Sequence, residues 1–236
     1  MTASSVSAPV NTALPGSGPR SLFGPCVRGK LIRVAQIAAA LALFGLAWEA
    51  IVVLFGIKPH YVPRLSLILQ AVAATPQAYI DGFLRTMAEA LIGFAAGAVF
   101  GVTVGIAFFR MRVLRDMVFP LFVISQTIPV IAFGALIVLW FGNTLLAKAV
   151  IAFYVTFFPV TVNTLVGLNA IDPRQTALMR SFGASPRQLL WRLQLPSALP
   201  QIFVALRLAA SLSLVGAIVG EWFGDTVGLG VLLLQA

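Results

Sequence analysis

The sequence predicts an all-α membrane protein with five helical spans and the beginning of a sixth. Composition is the first observation behind that prediction. Apolar residues make up 60% of the 236 and charged residues only 10%, whereas a soluble domain of this size carries about 25% charge. The second is the length of the apolar blocks. Met117 to Phe141 is 25 residues without a charge, and Ala149 to Ile171 is 23. A hydrocarbon core of ~30 Å takes about 20 helical residues. The third is where the basic residues fall. Arg20, Arg28, Lys30, Arg33, Arg110, Arg112, Arg115, Arg174, Arg180, Arg187 and Arg192 occupy segments that alternating spans put on one side. Lys58, Arg64, Arg85 and Lys148 occupy the other, and Arg207 lies within a span. Such asymmetry is the positive-inside pattern. It accounts for the net charge of +9 without a nucleic-acid partner.

Residues 1–33 are rich in Ser, Pro, Gly and Ala and predict a disordered cytoplasmic tail. Residues 34–236 then form one transmembrane domain. The first span runs from about Val34 to Phe55. Its apolar stretch is longer than a signal-peptide core and its leader longer than an n-region, so cleavage is not expected. Residues 57–82 are external, with Leu65 to Ala74 too short to cross and read as an interfacial helix. The second span covers about Thr86 to Phe109 and returns to a basic loop. The third, Met117 to Phe141, carries Pro129 in its middle. A tight turn at Gly142, Asn143 and Thr144 leads to a fourth span ending near Ile171. Residues 172–198 form the longest internal polar stretch, and the fifth span is about Leu199 to Glu221. The final TVGLGVLLLQA stops inside an apolar run, as a sixth span cut short would.

Gly93, Gly97, Gly101 and Gly105 recur every fourth residue in the second span. They share one helix face, which lets another backbone approach closely, and predict a packing surface rather than chemistry. Gly216, Gly220, Gly224 and Gly228 repeat the spacing, with Asp225 placing the second half in a loop. Gly24, Gly29 and Lys30 imitate a phosphate-binding loop, but Leu31 stands where magnesium needs Ser or Thr. Single Cys26 and single His60 exclude cysteine clusters and multi-histidine metal sites. No HExxH or GxSxG grouping occurs and the seven carboxylates are scattered. Neither an enzyme nor a cofactor is expected.

The most informative stretch is TALMRSFGASPRQLLWRLQLPSALPQI, Thr176 to Ile202. Pro173 to Ser181 suits a short helix that Gly183 breaks. Pro186 opens a second helix through Leu193, and Pro196 and Pro200 set the approach to the fifth span. The product is a helix-turn-helix elbow at the cytoplasmic face. Leu178, Met179 and Phe182 offer apolar knobs, and Arg180 and Arg187 offer charge.

From Gly183, nine residues lead to Leu193-Gln194-Leu195-Pro196. That spacing resembles the EAA loop of ABC importer permeases, the inner-membrane components of binding-protein-dependent transport. Ala177, Leu178 and Met179 stand where the family has Glu-Ala-Ala, which puts the missing glutamate's contact in doubt. FFPVTVNT (Phe157 to Thr164) and MRSFGAS (Met179 to Ser185) are similar to the nitrate, sulfonate, taurine and pyrimidine-precursor branch. The likeness covers about residues 40–236.

The resemblance implies a type I importer bundle in the bacterial inner membrane, its N-terminus cytoplasmic. It also implies a separate ATPase subunit, a periplasmic or lipid-anchored solute-binding protein, and a second permease copy or close paralogue. Leu178, Met179, Arg180, Ser181, Phe182, Gly183, Ala184, Leu195 and Pro196 would then be the ATPase-coupling residues, seated helix-in-groove. Polar residues within spans are costly in lipid, so Gln126, Asn163 and Glu221 are the solute-pathway candidates. The alternative for Gln126 and Asn163 is a hydrogen bond to a neighbouring helix. For Glu221 it is an external base or water. Arg207 is expected to snorkel, and Glu49 to lie at the interface. A self-powered secondary transporter or channel is the competing class; it would need inverted repeats and mid-membrane ionisable groups, neither of which is evident.

Overall fold

A computed structural model describes residues 25–235, with side chains from Ile32 onward. The expectation for residues 1–24 lies outside the described residues. Residues 25–33, expected to belong to the tail, are instead helical. They continue the first span outward without a break, and Pro25 stands at the first helical position, where its missing N–H costs nothing. The described residues divide into two compact units, one ending at residue 71 and the other beginning at residue 72.

In the first unit, α1 (Pro25–Leu54) is followed by a turn and by α2 (Leu65–Ala74). The Trp48 indole N–H donates to the Pro63 carbonyl at 3.2 Å. Glu49 accepts from the Ser66 hydroxyl at 2.7 Å and from its backbone N–H at 3.4 Å. A carboxylate at the first turn of α2 satisfies orphan donors there and suits the helix dipole. Those bonds, with Arg64 close by, hold the turn between the two helices.

The second unit contains α3 (Pro76–Arg110), α4 (Arg112–Ser125), α5 (Val130–Phe141), α6 (Leu145–Asn169), α7 (Pro173–Ser181), α8 (Pro186–Leu189), α9 (Leu195–Glu221) and α10 (Leu229–Gln235). Among the described residues of the whole chain, four helical stretches are long and apolar enough to cross a membrane. Counting α4 with α5 gives a fifth.

α6 is the central element, packed along α3 on one side and α9 on the other. The α3 contact is made by its glycines. A Cβ placed on Gly97 would sit 2.7 Å from Thr156 Cγ2, and one on Gly105 would sit 2.7 Å from Thr164 Cβ. On Gly101 it would meet the Phe157 carbonyl at 2.8 Å, and on Gly93 it would collide with Ala152. Each distance is below ordinary carbon contact, so any side chain there would push the helices apart. On the other side, Gly216 sits against Ala152, and Val160 packs with Ala205 and Ala209. Further along, Leu168 packs with Ala198 and Ile202. Small residues let both neighbours reach the α6 backbone, which is the means of close packing where lipid removes the hydrophobic drive.

One expected continuity and one expected break differ in the structure. The third span is not one kinked helix: α4 and α5 are bent by 94° across residues 126–129. Pro129 has no N–H to continue the ladder and disfavours helical backbone at Ile128. It therefore ends one helix and precedes the next. The Tyr154 hydroxyl donates to the Ser125 carbonyl, taking up an acceptor freed at the end of α4.

The second elbow helix, expected to stop at Leu193, runs straight into the fifth span. α8 passes through a π-helical turn, Leu190–Gln194, into α9, giving one apolar rod from Pro186 to Glu221. Pro196 explains the wide turn. Its ring would clash with the carbonyl four residues back in an α-helix, and an i→i+5 turn, with Leu195 N–H bonding the Leu190 carbonyl, loosens the ladder just before it.

Candidate functional site

The elbow owes its shape to local sequence at every corner. Asp172 caps α7 by accepting from Arg174 N–H at 2.8 Å, with Pro173 at the first helical position. At the other end, Gly183 N–H donates to the Arg180 carbonyl at 2.9 Å and Ala184 N–H to the Met179 carbonyl at 3.1 Å. That is the Schellman pattern, which needs a left-handed residue, and Gly183 supplies φ +78°. Ser185 and Gln188 then form a reciprocal capping box, and Pro186 starts α8. Nothing lies within 4 Å of a Cβ at Gly183. Backbone conformation, not space, is what calls for glycine there.

This scaffold presents unpartnered apolar surface. Phe182 is 82% exposed and Leu178 58%, one turn apart at the C-terminal end of α7. Met179, Phe182, Gly183, Ala184, Gln188 and Arg192 bound a shallow cleft of about 260 Å³. Arg180 is exposed, and the Ser181 hydroxyl turns inward to the Leu178 carbonyl at 2.7 Å. Leu195 is placed apart from these: it packs against the cluster of Leu168, Ala198 and Ile202. Pro196 is exposed at the start of α9.

The three polar residues singled out within spans do not converge. Asn163 donates to the Pro159 carbonyl at 2.8 Å and accepts from Gln201 at 2.9 Å, tying α6 to α9. Gln126 lies in the bend between α4 and α5, and its buried amide nitrogen has no hydrogen-bond partner among the described residues. Glu221 is fully buried rather than facing water. It accepts from the Thr86 hydroxyl at 2.5 Å and from Gly230 N–H at 2.6 Å. A Cβ at Gly228 would land on its carboxylate.

Glu221 belongs to a cluster that sequence reasoning did not assemble. Glu89 and Lys148 are also fully buried. Arg85 binds Glu89 at 2.8 Å, one turn away on α3. Lys148 pairs with Asp225 at 2.7 Å and bonds Asn143, whose amide reaches the Gly224 carbonyl. Burial pushes the Asp225 carboxyl up, but the hydrogen bond and positive charge of Lys148 outweigh it and hold the group below its ordinary value. Lys148 and Arg85 are thus not free surface charges at this end of the bundle. The available signal was Glu89 itself, a carboxylate inside an apolar helix four residues after a base. Such a residue is retained only where it is paired.

Residues 97–236 match the family described as binding-protein-dependent transport system inner membrane component. The match takes in most of the glycine stripe, α6, the elbow and α9. The chain is 36% identical to the formylaminopyrimidine transport permease protein of Halalkalibacterium halodurans, over 78% of this chain and 73% of that one. It is 33% identical to the riboflavin transport system permease protein of Chloroflexus aurantiacus, over 84% and 74%. With the taurine transport system permease protein of Escherichia coli it shares 28%, over 86% and 77%. An all-helical bundle of apolar spans, a rigid elbow between two of them and these likenesses agree, and the chain belongs to the binding-protein-dependent transport inner-membrane components, the membrane permeases of ABC importers.

Proposed function

We propose that this chain forms the solute pathway of an ATP-driven importer and couples it to a separate ATPase through the elbow at residues 172–198. The observation that carries the reading is the exposed pair Leu178 and Phe182, mounted on a turn with little freedom and continuous through α8 with a membrane-crossing rod. A helix offering apolar anchors with charge at the rim fits a groove on a partner. When ATP draws two ATPase subunits together, α7 moves with its groove, and the rod carries the displacement into the bundle. ATP must favour one arrangement of the spans over another to drive the cycle.

The partners that follow are the ATPase, a solute-binding protein on the opposite face, and a second permease, either another copy or a close paralogue. The elbow and the N-terminus would face the ATPase side of the bacterial plasma membrane. The relatives carry formylaminopyrimidine, riboflavin and taurine by name, and a nitrate importer is also similar. A small solute is the class they have in common, with a pyrimidine or thiamine precursor favoured by the formylaminopyrimidine relative.

The test is co-purification of the full-length chain with its genomic-neighbour ATPase, followed by Gly183→Val and Arg180→Glu. Wild type should retain the ATPase in detergent, and each variant should lose association or solute-stimulated ATP hydrolysis. A wild-type chain that binds no ATPase, or variants that transport normally, would return the elbow to a mere connection.

A further inference from the structure

Beside the elbow, and apart from the apolar face of α7, lies a second and larger cleft of about 570 Å³. Phe109, Arg112, Asn169, Thr176, Arg180 and Gln194 are among its walls. A smaller cleft of about 240 Å³ continues past Arg180 to Arg110 and Pro186. Arg112, which begins α4, and Arg180, in the last turn of α7, line the larger cleft, and Arg110, which ends α3, lines the smaller one with Arg180. Among the described residues none of the three has a carboxylate partner; the ion pairs present involve Arg85, Arg115 and Lys148. The nearest acids along the chain are engaged elsewhere, Asp116 with Arg115 at 3.0 Å and Asp172 with the N–H of Arg174. Arg110 makes one long bond, 3.4 Å, to the Pro186 carbonyl.

We infer that this cleft binds the phosphate of an anionic lipid headgroup, held by Arg112 and Arg180, with Arg110 adding charge from the adjoining smaller cleft. Guanidinium groups bind phosphate through several parallel N–H···O bonds, and Asn169, Thr176 and Gln194 add neutral polar groups to the wall. Position argues for a lipid rather than a free anion. The apolar stretch of α3 ends at Phe109, the residue before Arg110, and α6 ends at Asn169. By the ends of these two apolar helices the cleft stands where a hydrocarbon core would give way to headgroups, and Phe109 is part of its wall. Basic pockets between spans at a membrane surface are suited to such headgroups. A bound lipid would then bridge the α3–α4 corner to the elbow without occupying Leu178 or Phe182.

The experiment titrates the full-length chain in detergent with dioleoylphosphatidylglycerol or dioleoylphosphatidylcholine and reads bound lipid by native mass spectrometry. Phosphatidylglycerol should be retained saturably and phosphatidylcholine should not. Arg112→Gln should weaken retention about five-fold, since each basic residue near an anionic surface contributes about that factor. Arg112→Lys should recover most of it, and Arg110→Gln should weaken it independently. Arg174→Gln removes the same charge from α7 outside the cleft and should change nothing.

Equal loss in Arg174→Gln would reduce the effect to diffuse attraction and overturn the site. Displacement of the lipid by millimolar inorganic phosphate would assign the cleft to a free anion and overturn the lipid. Loss of the ATPase from Arg112→Gln with lipid binding intact would make the cleft part of the docking face instead. Because Arg112 is outside the proposed coupling residues, failure here leaves the importer reading standing.

Discussion

The two ends of the second unit are built on opposite plans. At the elbow end, each turn is fixed by residues a few positions apart: Asp172 with Arg174, Met179 with Ala184, Ser185 with Gln188. The elbow's arginines, Arg174, Arg180, Arg187 and Arg192, are exposed and among the described residues carry no carboxylate partner, and large apolar side chains stand in the open. At the other end, Thr86, Lys148 and Glu221 come from distant parts of the chain and are buried, with the half-buried Asp225 paired to Lys148. The first plan yields a surface whose shape is set before anything docks. The second closes a mouth of the bundle with bonds that exist only when all helices are in place.

That contrast predicts where substitutions will hurt. The largest stability loss should come from Asp225→Ala, which leaves Lys148 buried without its partner. Breaking a buried pair in this way costs about 3–5 kcal/mol, readable as a fall in thermal unfolding temperature in detergent. The double variant Lys148→Met/Asp225→Val should recover most of the loss, and failure to recover it would mean that the pair is not what holds this end.

The same pair makes a statement about pH. Its carboxyl is held below the ordinary value, near 3.8. Its stabilisation is therefore complete above that value and lost as pH falls through the lowered one. Unfolding followed from pH 7 downward should show no loss of the Asp225 contribution until the medium is strongly acid.

Next in size is Gly97→Leu, which inserts a side chain where even a Cβ would sit 2.7 Å from Thr156. Overpacking of this kind costs typically 1–3 kcal/mol, and Thr156→Ala in the same chain should relieve part of it. The smallest effect on stability belongs to Phe182→Ala at the elbow. A surface change of that sort stays within about 0.5 kcal/mol, so its unfolding temperature should match wild type while ATPase co-purification drops. A Phe182→Ala chain that unfolds early would erase the distinction between the two ends.

How much of this was legible in the sequence follows the same division. α2 falls at Leu65–Ala74 and α7 at Pro173–Ser181, because apolar runs, Pro and Gly act within a few residues and can be read in order. The elbow's corners were legible for that reason. The α4–α5 bend was only half legible: Pro129 signalled a disturbance, but its size depends on packing around residues 126–129. The continuity of α8 into α9 was hidden, since Pro196 usually interrupts a helix and here is absorbed by a wide turn. The buried cluster was the least legible. Glu89 and Lys148 lie in helices separated by two others, and nothing local says that Asp225 will meet Lys148. Composition marked this protein as a multi-pass membrane chain, but it could not say which charges would be hidden there.

The π turn at Leu190–Gln194 has a mechanical corollary. A helix is a screw, and a turn that takes in one surplus residue is a place where the screw can be reset. Were that turn to tighten to α geometry, everything beyond it would rotate by about 100° and advance by about 1.5 Å relative to the elbow. Pro196, whose ring would clash in that tighter geometry, holds the turn wide and keeps the rod from Pro186 to Glu221 in one register against the elbow. Spin labels on α7 and on the middle of α9 should keep a single distance in wild type, and Pro196→Ala should add a second.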